Sequence, residues 1–200
     1  MATEIERLIG RIRDLEDELE TQVAARRAAF RYRVERNRIV FEDEIRRRHA
    51  ALRARLLPYI RQARPMTVLT APVIYALIVP LLFLDLCVTL YQAVCFPAYG
   101  IEKVRRRDFI VYDRRHLAYL NGIEKLNCTY CSYANGLIAY VREIAARTEQ
   151  YWCPIKHARR VAGMHGRYPE FADFGDAEAY RDELERLRAA LRAERRDETR

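Results

Sequence analysis

Glycine and proline are scarce, seven of each in 200 residues. Strands joined by tight turns need both residue types, so their scarcity argues against a β-rich protein. No P-loop, dinucleotide fingerprint or nucleophile elbow is present, which removes the commonest sequence warrants for an NTPase, a nicotinamide enzyme or an α/β-hydrolase. No Glu-x-x-His occurs, so a carboxylate di-iron bundle lacks its ligand pairs. The one Cys-x-x-Cys is not followed by His, so covalent haem attachment is unsupported. The apolar residues near the start are spaced rather than continuous, unlike a secretory leader. Together with five cysteines, an odd number, this points to reduced thiols in a cytosolic setting.

Charge, by contrast, is plentiful. The net charge is +8 and most of the positive charge is arginine, a balance that suits anionic headgroups or nucleic acid. From Thr3 to Ile60 the apolar residues Ile5, Leu8, Ile12, Leu15 and Leu19 alternate steps of three and four. That is heptad spacing, and charges fill the positions between. The pattern drifts through Val23, Phe30 and Val34 and returns at Phe41, Ile45, Leu52 and Leu56. It predicts one long helix, with a stutter near Arg26–Ala29, that forms a coiled-coil arm over 1–62 and is about 80 Å long.

Val68–Ile101 contains no Lys, Arg, Glu or His, and Asp85 is its sole charge. About 20 apolar residues cross a hydrocarbon core, so 66–101 reads as a membrane segment. Seven arginines precede it in 46–65 (Arg46, Arg47, Arg48, Arg53, Arg55, Arg61, Arg64), and six basic residues follow in 102–121 (Lys103, Arg105, Arg106, Arg107, Arg114, Arg115). Positive charge on both flanks places both on the cytoplasmic side. With Pro80 in the middle, this favours a re-entrant, monotopic hairpin over a single span. A carboxylate is costly in lipid, so Asp85 is expected to face a partner or a wet pocket.

The rest of the chain is polar. The stretch "IEKVRRRDFIVYDRRH" suits an anionic headgroup zone. Asn135-Gly136 predicts a turn or a helix stop, after which Leu137, Val141, Ile144 and Thr148 predict a helix over 137–151. Ala177, Tyr180, Leu184, Leu187 and Leu191 predict an amphipathic helix over 177–195 whose stripe can pair with the arm. Cys128-x2-Cys131 and Cys153-x3-His157 are each spaced as metal ligands often are. Three thiolates and an imidazole would close a tetrahedral zinc site, provided the chain returns along the intervening helix or a second copy supplies half the ligands. An iron–sulfur cluster is the alternative metal group, although such clusters prefer all-cysteine ligation.

These patterns predict an all-α protein on the cytoplasmic face of a membrane. Its expected parts are a coiled-coil arm (1–62), a membrane hairpin or single span (66–101), a helical Cys/His metal-site domain (102–176) and a C-terminal amphipathic helix (177–200). The expected role is a scaffold or adaptor with a structural Cys3His zinc site. Expected partners are anionic lipid headgroups and either a second copy or another helical protein through the coiled coil; the apolar segment disfavours nucleic acid. The alternative is a membrane-bound redox protein or enzyme that uses the same cysteines for an iron–sulfur cluster or thiol chemistry.

Overall fold

The structure is a computed structural model that describes residues 4–28, 32–35 and 38–198. Helices dominate: α1 (Glu4–Ala28), α2 (Asp43–Ala51), α3 (Leu56–Gln62), α4 (Pro65–Ala76), α5 (Ile78–Tyr99), α6 (Arg106–Phe109), α7 (Gly122–Trp152) and α8 (Tyr180–Glu198). A short antiparallel hairpin of β1 (Tyr32–Glu35) and β2 (Arg38–Phe41) pairs Tyr32 with Phe41 and Glu35 with Arg38. The chain falls into two compact units. The first runs through Ala63 and includes Asp113–Cys128; the second comprises Arg64–Tyr112 and Thr129–Arg200.

The arm is therefore not one helix. Its heptad stretch forms α1, described as far as Ala28, and Tyr32–Glu35 is already strand. The strands that follow are rich in β-branched and aromatic residues (Tyr32, Val34, Ile39, Val40, Phe41), which favour a pleated strand over continued helix. Phe30 and the end of the expected stutter at Ala29 lie outside the described residues. In the same unit the His49 ring stands edge-on to both Phe41 and Tyr119, at 5.3 and 5.4 Å. Arg53 donates to the Ala118 carbonyl at 2.8 Å.

Asn121 and Glu124 start α7 by a reciprocal cap. The Asn121 amide donates to Glu124 Oε2 (2.8 Å), and the Glu124 amide donates to Asn121 Oδ1 (3.0 Å), so two end donors are satisfied at once. The helix then runs unbroken to Trp152. This corrects the turn expected at Asn135-Gly136. Asn135 stays helical and donates its side-chain amide to the Cys131 carbonyl at 3.0 Å. Gly136 serves close packing instead: a Cβ there would lie 2.6 Å from the Phe109 carbonyl oxygen and 2.9 Å from Ile110 Cα.

In the second unit α4 and α5 run beside α7 in the same direction. Tyr130 on α7 donates to the Ile74 carbonyl (2.7 Å), Tyr133 donates to Asp85 (2.9 Å), and Thr148 shares a hydrogen bond with Tyr91 (3.0 Å). Tyr151 stacks on Tyr99 with ring centroids 5.1 Å apart. Contacts that advance together along both helices exclude the hairpin, in which the second arm would run back. Leu77 breaks α4 from α5 in a helical conformation (φ −62°, ψ −14°), so the chain continues forward. Pro80 accounts for the break. It cannot donate to the Ala76 carbonyl, and it is tolerated in the first turn of α5, where that donor is not needed.

Gly100 ends α5 with a left-handed residue (φ 74°), and Ile101 donates back to the Phe96 carbonyl at 2.8 Å. The core then gathers Phe96, Ile101, Val104 and Ile110 against Leu137, Tyr140 and Ile144 of α7 and Leu191 of α8. Leu187 packs with Tyr168 and Phe171. The apolar stripe of α8 is thus used inside its own unit.

Candidate functional site

Two features of the second unit bear on function: the outer surface of α4–α5 and the polar cluster beneath it. The run Pro65–Tyr99 is long and apolar enough to cross a membrane, and an 18-residue stretch within it has a mean hydropathy of 2.5. Only one stripe of it packs. Flanked by half-buried Tyr91 and Cys95, the residues Ala71, Tyr75, Ile78, Leu81, Asp85, Val88, Gln92, Phe96 and Tyr99 are buried or half-buried. Their steps of three and four keep one face on α7 straight through the Leu77 break. The remaining circumference is bare and apolar. Leu69 is 70% exposed, Phe83 68% and Leu86 66%. A soluble monomer rarely leaves so continuous an apolar surface uncovered.

The packed stripe is polar at its centre. Asp85, 6% exposed, receives Arg106 on Oδ1 at 2.6 Å, the Thr89 hydroxyl on Oδ1 at 3.4 Å and the Tyr133 hydroxyl on Oδ2 at 2.9 Å. The carboxylate expected to need a partner therefore has three donors, one of them cationic. Burial, with the carboxylate next to it, pushes the Tyr133 phenol up to about 12, which keeps it a hydrogen-bond donor at neutral pH. Two turns along, Gln92 accepts from the Val104 amide at 3.0 Å and donates to the Tyr140 hydroxyl. These contacts fasten the strongly basic stretch that follows α5 to its inner face. Around Arg106, the side chains of Lys103, Arg105 and Arg107 are exposed.

A second charged network lies at the far end of α7. Arg167 forms a bidentate pair with Glu194 (3.0 and 2.9 Å) and also reaches Glu143 (3.1 Å) and Gln150 (2.9 Å). Burial works against its charge, but the two carboxylates outweigh this and raise its pKa. Arg147 pairs with Glu143 at 2.9 Å, and His165 with Glu149 at 2.9 Å. The spacing of Arg142, Glu143, Arg147 and Glu149 in sequence reads as a solvated helix face. No signal in the sequence marked Arg167 as their partner, because its contacts come from a loop distant in sequence.

The four expected metal ligands are not brought together within one chain. Cys128 and Cys131 lie one turn apart on α7, and Cys153 lies just past its other end. The 22 residues from Cys131 to Cys153 span about 33 Å at 1.5 Å per residue, far beyond any shared first shell. The Cys153–His157 pair is not on a helix either. Pro154 and Lys156 bond across to Ala172 in a bridge (2.9 and 2.8 Å). The His157 ring stacks on Tyr168 with centroids 6.1 Å apart, and its backbone amide donates to the Tyr168 hydroxyl at 2.5 Å. All five cysteines are free thiols. Among the described residues no three or more of His, Cys, Asp and Glu are grouped to hold a metal ion. No family model, curated protein or solved structure matches this chain.

Proposed function

We infer that this protein is a membrane-anchored adaptor, held in one leaflet by the outer face of α4–α5. The observation that carries this reading is that face: continuous, apolar and bare beside a packed stripe that holds the buried Asp85 and Gln92. Crossing the bilayer in this fold would carry Asp85, Arg106 and the charged part of α7 into hydrocarbon, where ionised side chains are expensive. Lying in the interface with the outer face down leaves those groups on the wet side. It also leaves both basic flanks on one side, as the symmetric lysine and arginine count requires. Lys103, Arg105 and Arg107 then meet headgroups, and an anionic leaflet adds about 1 kcal/mol per basic side chain near the surface. The bare α1 stripe is the adaptor part, presented for a helical partner.

Native cysteines supply the test. Cys87 is exposed on the outer face and Cys153 is exposed past the end of α7. Bound to vesicles, the full chain should protect Cys87 from a membrane-impermeant maleimide and leave Cys153 reactive. Flotation should be stronger on vesicles that contain anionic lipid and should weaken with salt. Leu86→Asp should reduce partitioning roughly a hundredfold, since an acidic residue at hydrocarbon depth costs about 2.5 to 3.5 kcal/mol. Equal labelling of Cys87 with and without vesicles would sink this reading.

A further inference from the structure

The bare stripe of α1 has a partner written into its own charge order. Leu8, Ile12, Leu15 and Leu19 are 52%, 56%, 61% and 64% exposed, so nothing among the described residues covers them. The rival within the chain is already engaged, because Leu184, Leu187 and Leu191 of α8 are buried in their own unit. Between Arg7 and Glu20 the charges of α1 come in two blocks. Arg7, Arg11 and Arg13 are followed by Asp14, Glu16, Asp17, Glu18 and Glu20. A parallel pair would set Arg11 beside the partner's Glu16 but lay the rest of the acidic block along its own copy. An antiparallel pair lays one block on the other.

We propose that α1 binds the α1 of a second copy as an antiparallel coiled coil whose two-fold axis passes between Arg13 and Asp14. In heptad terms Ile12 and Leu19 are a positions and Leu8 and Leu15 are d positions. Antiparallel core layers join a to d, and this axis delivers that pairing. Ile12 meets the partner's Leu15, and Leu8 meets the partner's Leu19. The same axis sets Arg11, a g position, beside the partner's Glu18, also a g position, and the symmetry makes the pair twice. Flanking g charges govern orientation in coiled coils, and a two-fold interface is self-complementary by construction. The basic block of each helix then lies along the acidic block of the other, which favours this encounter at low ionic strength. Two copies on one leaflet would be joined through their arms, so the inference rests on the adaptor reading and identifies its partner.

Charge swaps in the full-length protein test both the partner and the orientation. Sedimentation equilibrium in detergent should find a dimer for the native chain. R11E places acid beside the partner's Glu18, and E18R places base beside the partner's Arg11. Each should weaken the dimer about tenfold, given two affected pairs of a few tenths of a kcal/mol that change sign. The double variant R11E/E18R rebuilds both pairs in reverse and should recover native affinity. In a parallel pair the g position at Glu18 would instead face the partner's Val23, so E18R alone would have little effect and the double variant would stay weak. That result overturns the antiparallel arrangement. A native chain that stays monomeric, or a dimer indifferent to all three variants, overturns the arm as the interface. Flotation of the same proteins separates the two readings, because these α1 changes leave α4–α5 untouched. Circular dichroism of each variant, with helicity unchanged, confirms that only pairing is altered.

Discussion

Asp85 shows how one side chain lets an apolar helix belong to a folded unit. A carboxylate 6% exposed is tolerable because Arg106 supplies the opposite charge and two hydroxyls complete its shell. The two ends of the ion pair are not equivalent. The Arg106 side chain is 46% exposed and the Asp85 side chain 8%. Losing the arginine strands a buried anion, whereas losing the carboxylate lets the arginine turn to water. Arg106→Ala should therefore destabilise the fold by about 3 kcal/mol, and Asp85→Leu, which strands only the buried Tyr133 hydroxyl, by about 1–2 kcal/mol. Denaturant unfolding of both variants checks the order; equal costs would show that the pair does not carry this asymmetry.

At the scale of elements, α7 is the piece against which the second unit is built. It meets α4–α5 on one side, accepts the chain at Phe109–Ile110 over Gly136, and receives α8 through Gln150, whose side chain donates to the Leu187 carbonyl at 3.0 Å. Glycine is a poor helix residue, and here it is needed for contact with backbone atoms that cannot rotate away. Gly136→Ala would normally stabilise a helix slightly. With Phe109 and Ile110 in the way, it should instead lower stability by about 1–3 kcal/mol, read as a fall in Tm. A raised Tm would show that the crossing is looser than the 2.6 Å approach implies.

At the scale of the whole chain, polar contacts as well as the core join elements distant in sequence. Arg167 ties α7 to α8 from a loop that belongs to neither, through Glu143, Gln150 and Glu194. Arg167→Met keeps much of the side-chain volume and removes every one of those donors. It should cost about 2–3 kcal/mol, discounted because Glu194 is 39% exposed. Glu143→Gln in the same background should then cost little more, since the two act as one network. Chemical denaturation of the single and double variants reads the coupling; strictly additive losses would contradict a shared network.

Short-range pattern was enough to establish the helical class, the apolar run, the heptad stretch that became α1 and the apolar stripe of α8. Each depends on which residues recur along a few turns of one helix, and periodicity records that directly. The need of Asp85 for a partner was also legible, because a lone charge in an apolar run has no other resolution. Only the tertiary structure decided the rest. Asn135-Gly136 has the chemistry of a turn, yet a crossing backbone made the glycine useful inside a helix. Because that helix did not stop, Cys131 and Cys153 ended about 33 Å apart, and ligand spacing correct at each end could not make one site within a chain. Pro80 broke the apolar helix without reversing it, since a proline in a first turn interrupts hydrogen bonding but not direction. Local sequence sets what each segment can be; which segments meet is settled by contacts between residues far apart in the chain.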